Sequence, residues 1–271
     1  RVVPDLAVRV DWPDPLTYVA ELPTGVRFHD GSLLSAADVA YTFNRFLDPE
    51  FVSGRKGAYR SLRAVEVIDE THVAFRLTEA SASFPINLVM GIVPEGTGPE
   101  AARAPIGSGP YRLAEFAPDD HTTLAPFADY YQGRPNNAGL LLRVVPDETM
   151  RGLELRKGSV DLVINDLSPD IVDGLKQEPH LRVTTAEGTD FAYLGFNLRD
   201  SLLQDKRVRL AVGYAIDQQA IVRYLRRGLA TPAIGIVPPM SWAHDPTVFR
   251  FERDVERAKA LLDAAGYPDP D

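Results

Sequence analysis

The amino-acid sequence predicts an α/β fold, and three observations carry that expectation. Short apolar runs of strand character, "GLLLRVVP", "VDLVIND" and "FAYLGFNL", alternate with stretches in which apolar residues recur at helical period. Strand–helix–strand alternation of this kind implies a parallel or mixed sheet. The 271 residues, 45% hydrophobic and 25% charged, suffice for one large or two ordinary globular domains with ample core.

The elements follow in order. Leu16, Tyr18 and Ala20 alternate with Thr17, Val19 and Glu21 as a half-buried strand does. A short strand at Val26-Arg27-Phe28 breaks at His29-Asp30-Gly31, where Asp accepts backbone N–H bonds and Gly supplies a positive φ. Ser35 and Asp38 have capping-box spacing, and Val39, Ala40, Phe43, Phe46 and Leu47 share one face of the helix that follows, which Asp48-Pro49 ends. "LRAVEVID" and "HVAFRL" read as a strand pair with a tight turn at Glu70-Thr71, and "FPINLVM" as a short helix. "YRLAEF" and "HTTLAPF" read as paired strands, and "GLLLRVVP" as a buried strand before a helix from Asp147 that Gly158 closes in a left-handed cap. After the buried strand "VDLVIND" comes a short helix, "SPDIVDGLKQ", with Ser168 as cap and Pro169 at its first position. "LRVTTAEG" and "FAYLGFNL" are further strands. The chain then turns helical in "DKRVRLAVGYAI" and "DQQAIVRYLRRG", passes through the Pro-rich "TPAIGIVPPMSWAHDP" and ends in the helix "DVERAKALLDAAG".

Composition excludes several function classes. A net charge of -9 argues against a nucleic-acid partner, which requires a basic face. The absence of cysteine excludes disulfides, thiolate catalysis, structural zinc of the usual type and iron–sulfur clusters. No apolar run approaches the roughly 20 residues that span a bilayer, and the first residues do not form a signal peptide. His29, His72, His121, His180 and His244 are scattered without ligand spacing, so no metal or cofactor is expected. "GSG" at 107–109 lacks the lysine and long helix of a phosphate loop, and Ser108 lacks the context of a nucleophile elbow. His29-Asp30 therefore reads as a structural corner, and no residue is expected to be catalytic.

Together the segments resemble a family. "GVRFHDGSLLSAADVAYTFNRFLDPE" is similar to the signature stretch of the family 5 extracellular solute-binding proteins, the dipeptide and oligopeptide receptors of ABC importers. Further matches, "PIGSGPYRLAEF", "ADYYQGRP", "LRKGSVDLV", "DKRVRLAVGYAIDQQAIV" and "AKALLDAAGYP", follow in the family's order. The resemblance implies a class II periplasmic binding protein-like α/β fold, two-lobed with an extra small domain and here truncated at both ends. Residues 1–107 would form the small accessory α+β domain, 108–190 the first-lobe sheet, and 191–271 the start of an incomplete second lobe. Ligand would lie against the end of "VDLVIND" and along "FAYLGFN", touching Asn165, Asp166, Tyr193 and Phe191.

The implied function is capture of a small peptide or related solute by two-lobe closure, with delivery to a membrane permease. The implied location is the periplasm, or the cell exterior on a lipid anchor in a Gram-positive host. A nickel-chelate or haem carrier on the same fold is an alternative, as is an enzyme or a pure interaction module. At the family's usual "R-N-P-x-Y-W" the chain reads Pro126-Phe127-Ala128-Asp129-Tyr130-Tyr131, so the arginine of some relatives is absent.

Overall fold

The computed structural model describes residues 3–165 and 167–268, which divide after Val144 into two compact units. In the first unit, strands β1 (Arg9–Asp14) and β2 (Thr17–Glu21) form a hairpin. Helix α1 (Ala36–Asn44) follows, then β3 (Leu62–Val67) and β4 (His72–Leu77). The four strands make one antiparallel sheet in the order β1-β2-β4-β3.

This sheet and α1 enclose an aromatic core. Phe28, Phe43 and Phe84 are fully buried, and Phe43 meets the ring of Phe75 edge-on at 5.0 Å. Helix α1 is held at both ends by polar contacts. The Asp38 carboxylate accepts from Ser35 N–H (2.8 Å) and Oγ–H (3.0 Å), and from the distant Glu95 N–H (2.8 Å). At the other end Asn44 pairs with the main chain of β3 through both amide atoms, donating to Val65 O (2.8 Å) and accepting from Val65 N–H (2.9 Å). At the β3–β4 turn Asp69 accepts from Thr71 N–H and His72 N–H, both 2.8 Å. The Thr71 amide foremost, then the His72 ring, hold the Asp69 carboxyl down at about 2.

The corner at His29 is structural. Gly31 adopts φ +90° and donates its N–H to Phe28 O. Ser32 hydroxyl and amide both donate to Asp30, and these bonds hold its carboxyl below the usual range. His29 reaches across the unit: Nε2–H donates to Gly109 O (3.0 Å), Nδ1 accepts from Gly107 N–H (3.3 Å), and the ring sits 5.1 Å from Phe127. Both ring nitrogens are thus engaged by the "GSG" segment, which serves as a backbone partner of the corner. Gly31→Val is expected to lower stability by about 1–3 kcal/mol, because a β-branched residue tolerates positive φ poorly. His29→Ala is expected to lower the melting temperature, since it removes the contacts to Gly107, Gly109 and Phe127. Thermal unfolding checks this pair, and an unchanged melting temperature for either variant would contradict it.

Three more strands complete the first unit: β5 (Tyr111–Ala117), β6 (His121–Pro126) and β7 (Leu140–Arg143), antiparallel in that order. His121 lies beside Asp120 (3.0 Å) and Glu115 (3.5 Å), which raise its pKa, Asp120 more strongly. Strand β7 is not the buried strand expected, since Leu141 and Leu142 are more than half exposed. It is an edge strand, paired on one side only, with β6.

Among the described residues the regular elements of the second unit are all helical. Helix α2 (Glu148–Lys157) is capped by Asp147, whose carboxylate accepts from Met150 N–H, and ends at Gly158 with φ +77°. Helix α3 (Pro169–Lys176) packs on it where Gly152 faces Ile171, and Arg227 ties to Asp170 at 2.8 Å. After α4 (Ser201–Gln204) and α5 (Lys206–Ala215), α6 (Gln218–Ala220) continues into a wider turn over Ile221–Leu225. Helix α7 (Val255–Ala264) lies against α5 through Ala211, Tyr214 and Ala258, with Phe251 wedged at Gly213.

Among the described residues the expected central sheet is not formed. Residues 160–165 of "VDLVIND", "LRVTTAEG" and "FAYLGFNL" form neither helix nor strand, and both observed sheets are antiparallel rather than parallel or mixed. A strand exists only through a ladder with a neighbour. Leu162 and Ile164 are each 71% exposed, so no neighbour covers them. Among the described residues no helix is long and apolar enough to cross a membrane.

Candidate functional site

Of the four residues expected to touch ligand, the structure brings two together. The rings of Phe191 and Tyr193 stack at 5.9 Å with 12° between their planes. Tyr193 is 79% exposed and Phe191 36%, so neither is an ordinary core residue. Gly195 leaves room for the Tyr193 ring, which a Cβ at position 195 would meet at 3.4 Å. Asn165 is exposed and holds φ +59°, a left-handed conformation that Asn tolerates better than most residues. Asp166 lies outside the described residues.

Phe191 also lines a groove of about 140 Å³ within the second unit. One wall is Gly188–Phe191 and the other Thr231–Pro239, with His244 and Arg250 completing it. Both walls are irregular chain, and the main-chain N–H groups of Gly188–Phe191 and Ala233–Val237 donate to no protein acceptor among the described residues. His244 donates from Nδ1–H to Val237 O at 2.9 Å, which leaves Nε2 of the neutral ring as an acceptor. The second wall is the stretch "TPAIGIVPPMSWAHDP", which sequence reasoning read only as a connection; its line of small and β-branched residues between prolines was the signal available. Among the described residues no three His, Asp or Glu side chains stand close enough to hold a metal ion.

A larger, more open depression of about 430 Å³ lies on α1 in the first unit, lined by Tyr41, Asn44, Arg45, Asp48 and Glu95. The Arg45 guanidinium sits 4.6 Å from the centre of the Phe51 ring and donates to Thr97 O, which anchors it structurally.

The family profile of the bacterial extracellular solute-binding proteins, family 5 Middle, matches residues 1–271. The chain belongs to this family. This family 5 chain is 29% identical to Heme-binding protein A of Haemophilus influenzae over 94% of its own length and 52% of the relative's. Among solved structures it is similar to NikZ of Campylobacter jejuni in complex with Ni(L-His), with a TM-score of 0.87 and 26% identity over 97% of this chain and 54% of that one. It is also similar to the oligopeptide-binding protein AppA of Bacillus subtilis in complex with a nonapeptide, with a TM-score of 0.85 and 28% identity over 98% and 56% of the two chains. The family 5 chain thus spans about half the length of the curated relatives it matches, and it shares the mixed α/β fold of these binding proteins.

Proposed function

We propose that this chain is part of the solute-binding receptor of an ABC importer, which captures a small peptide or a similar solute and hands it to a membrane permease. Family membership over residues 1–271 is the observation that carries this reading. The receptor works by binding and release, without catalysis, outside the cytoplasmic membrane, either free in the periplasm or held at the surface by a lipid. Residues 1–107 serve as the accessory domain, 108–190 belong to the first lobe and 191–271 begin the second. The solute lies against Asn165, Asp166, Phe191 and Tyr193. Chemically the set suits a peptide: an amide that donates and accepts, a carboxylate for an ammonium, and an aromatic face with a polar tip.

Two similarities favour a second reading, in which the solute is a haem or a nickel chelate, since one relative bears a haem-binding name and one structure holds Ni(L-His). Calorimetry separates the two. A panel of dipeptides, tripeptides and nonapeptides, haemin and nickel–histidine is titrated into the 271-residue chain and, in parallel, into the whole gene product that carries it. The expected result is peptide binding by the whole gene product and much weaker binding by the 271-residue chain, because affinity in a closing receptor depends on both walls of the cleft. Binding of haemin or nickel–histidine in preference to every peptide would favour the second reading, and binding of nothing in the panel would overturn both.

A further inference from the structure

We infer that the Asp30–Gly31 pair is a latent site of isoaspartate formation, which Ser32 holds closed. An aspartate followed by glycine is prone to this rearrangement, because a residue without Cβ does not shield its own amide. The Gly31 nitrogen attacks the carboxyl carbon of protonated Asp30, the N–H proton and the carboxyl OH leave as water, and a five-membered succinimide closes. Water then opens the ring. At the side-chain carbonyl it restores aspartate, and at the main-chain carbonyl it leaves isoaspartate, with one extra methylene in the backbone. No other reactant is needed. Both residues are exposed, and nothing stands within 4 Å of where a Cβ of Gly31 would lie.

Ring closure needs a neutral carboxyl, a free amide and a chain that can turn, and the folded corner opposes all three. The Ser32 hydroxyl donates to Asp30 Oδ1 at 2.6 Å and the Ser32 N–H to the same oxygen at 2.9 Å. These bonds, the hydroxyl's foremost, hold the carboxyl below its usual range, so the unreactive carboxylate dominates at neutral pH. The Gly31 N–H is engaged by Phe28 O at 2.9 Å, and the Phe28 side chain is fully buried, which fixes that acceptor. The turn is closed around the pair as well. Phe28 N–H donates to Ser32 O at 2.9 Å, Arg27 pairs with Leu33 across the corner, and Arg27 Nη1–H donates to Gly31 O at 2.8 Å. Of these contacts, only the two from Ser32 act on the reacting carboxyl itself.

The chain carries its own reference. Its other Asp–Gly pair, Asp173–Gly174, lies inside α3 in the second unit, where the helix fixes the backbone. Asp173 accepts from Lys176 Nζ at 3.1 Å, and a Cβ at Gly174 would meet Arg156 Nη2 at 3.2 Å, so this pair is held by contacts that do not involve Ser32. It reports general opening of the protein, whereas Asp30 reports the corner.

The test ages the whole gene product and its Ser32→Ala and Ser32→Thr variants at neutral pH, beside the free peptide "VRFHDGSLL" of residues 26–34. Isoaspartate at residues 30 and 173 is counted by electron-transfer fragmentation of tryptic peptides. The unmodified protein is expected to convert Asp30 several-fold more slowly than the peptide does. Ser32→Ala is expected to speed conversion of Asp30 several-fold with no change at Asp173, and Ser32→Thr, which keeps a hydroxyl, to stay near the unmodified rate. A rate at Asp30 unchanged by Ser32→Ala, or equal in the unmodified protein and the free peptide, would overturn the inference. So would a threonine variant as fast as the alanine one, or a rise at Asp173 that matches the rise at Asp30, which would trace the effect to general opening.

Discussion

Phe43→Ala is expected to destabilise the first unit by about 3–5 kcal/mol, the range for truncating a buried aromatic where the surroundings collapse only partly. Phe43 is 1% exposed and projects from α1 onto the sheet, edge-on to Phe75 at 5.0 Å and to Tyr59 at 5.9 Å. Its removal opens a cavity among rings that are themselves held: Tyr59 stacks on Phe46 at 4.3 Å, and Phe75 touches the fully buried Phe84. Rings locked by several partners cannot swing into the space, so the upper part of the range is expected. Phe43→Leu keeps most of the volume and loses the edge-to-face pairs, worth about 0.5–1.5 kcal/mol each, so its cost should be clearly smaller. Denaturant unfolding of the two variants measures the difference. A loss below about 1 kcal/mol for the alanine variant would show that the α1–sheet interface is not the core of this unit.

Gly139→Ala is expected to cost at least about 2 kcal/mol and to detach β7 from β6, through two additive causes. Gly139 has φ +141°, outside the range an L-residue adopts without strain. A Cβ there would also fall 2.6 Å from Leu124 O, a backbone atom of the neighbouring strand, which cannot rotate away as a side chain does. Leu124 pairs with Leu140, so the clash falls on the first rung of the β6–β7 ladder. Gly133→Ala is the control. It has φ +100° but open space where its Cβ would go, so it carries the conformational strain without the clash. Faster amide exchange along β7 in the Gly139 variant alone is the expected signature, and equal effects of the two substitutions would show that contact with Leu124 is unimportant.

Local chemistry was legible where a single residue settles it. Asp147 and Gly158 bracket α2 as read, Ser35 and Asp38 meet at the start of α1, and Gly31 takes the positive φ that the corner required. The pairing of β3 with β4 and of β5 with β6 was equally visible, because each pair is joined by a short turn. What failed was inference about partners distant in sequence. An apolar run such as "GLLLRVVP" or "VDLVIND" shows that a segment suits burial but does not show what buries it, and Leu141, Leu162 and Ile164 are largely exposed. The pairing of β1 with β2 went unread, since Asp11, Pro13 and Asp14 interrupt any apolar alternation.

The candidate site divides in the same way. Phe191 and Tyr193 came from the family resemblance, and the structure stacks them. The groove beside them joins Gly188–Phe191 to Thr231–Pro239, two irregular stretches distant in sequence, so no local pattern announced it.

The most direct test of the receptor reading is native mass spectrometry of the whole gene product purified from its own host without added ligand. A protein whose cleft closes on peptide retains its cargo through gentle purification, so the account predicts a bound population displaced by the masses of short peptides. That population should lose its adduct when a binding peptide from the panel is added in excess and exchanged. A haem or metal-chelate adduct in place of peptide, or a bare protein that also fails to take up any peptide offered, would contradict the account.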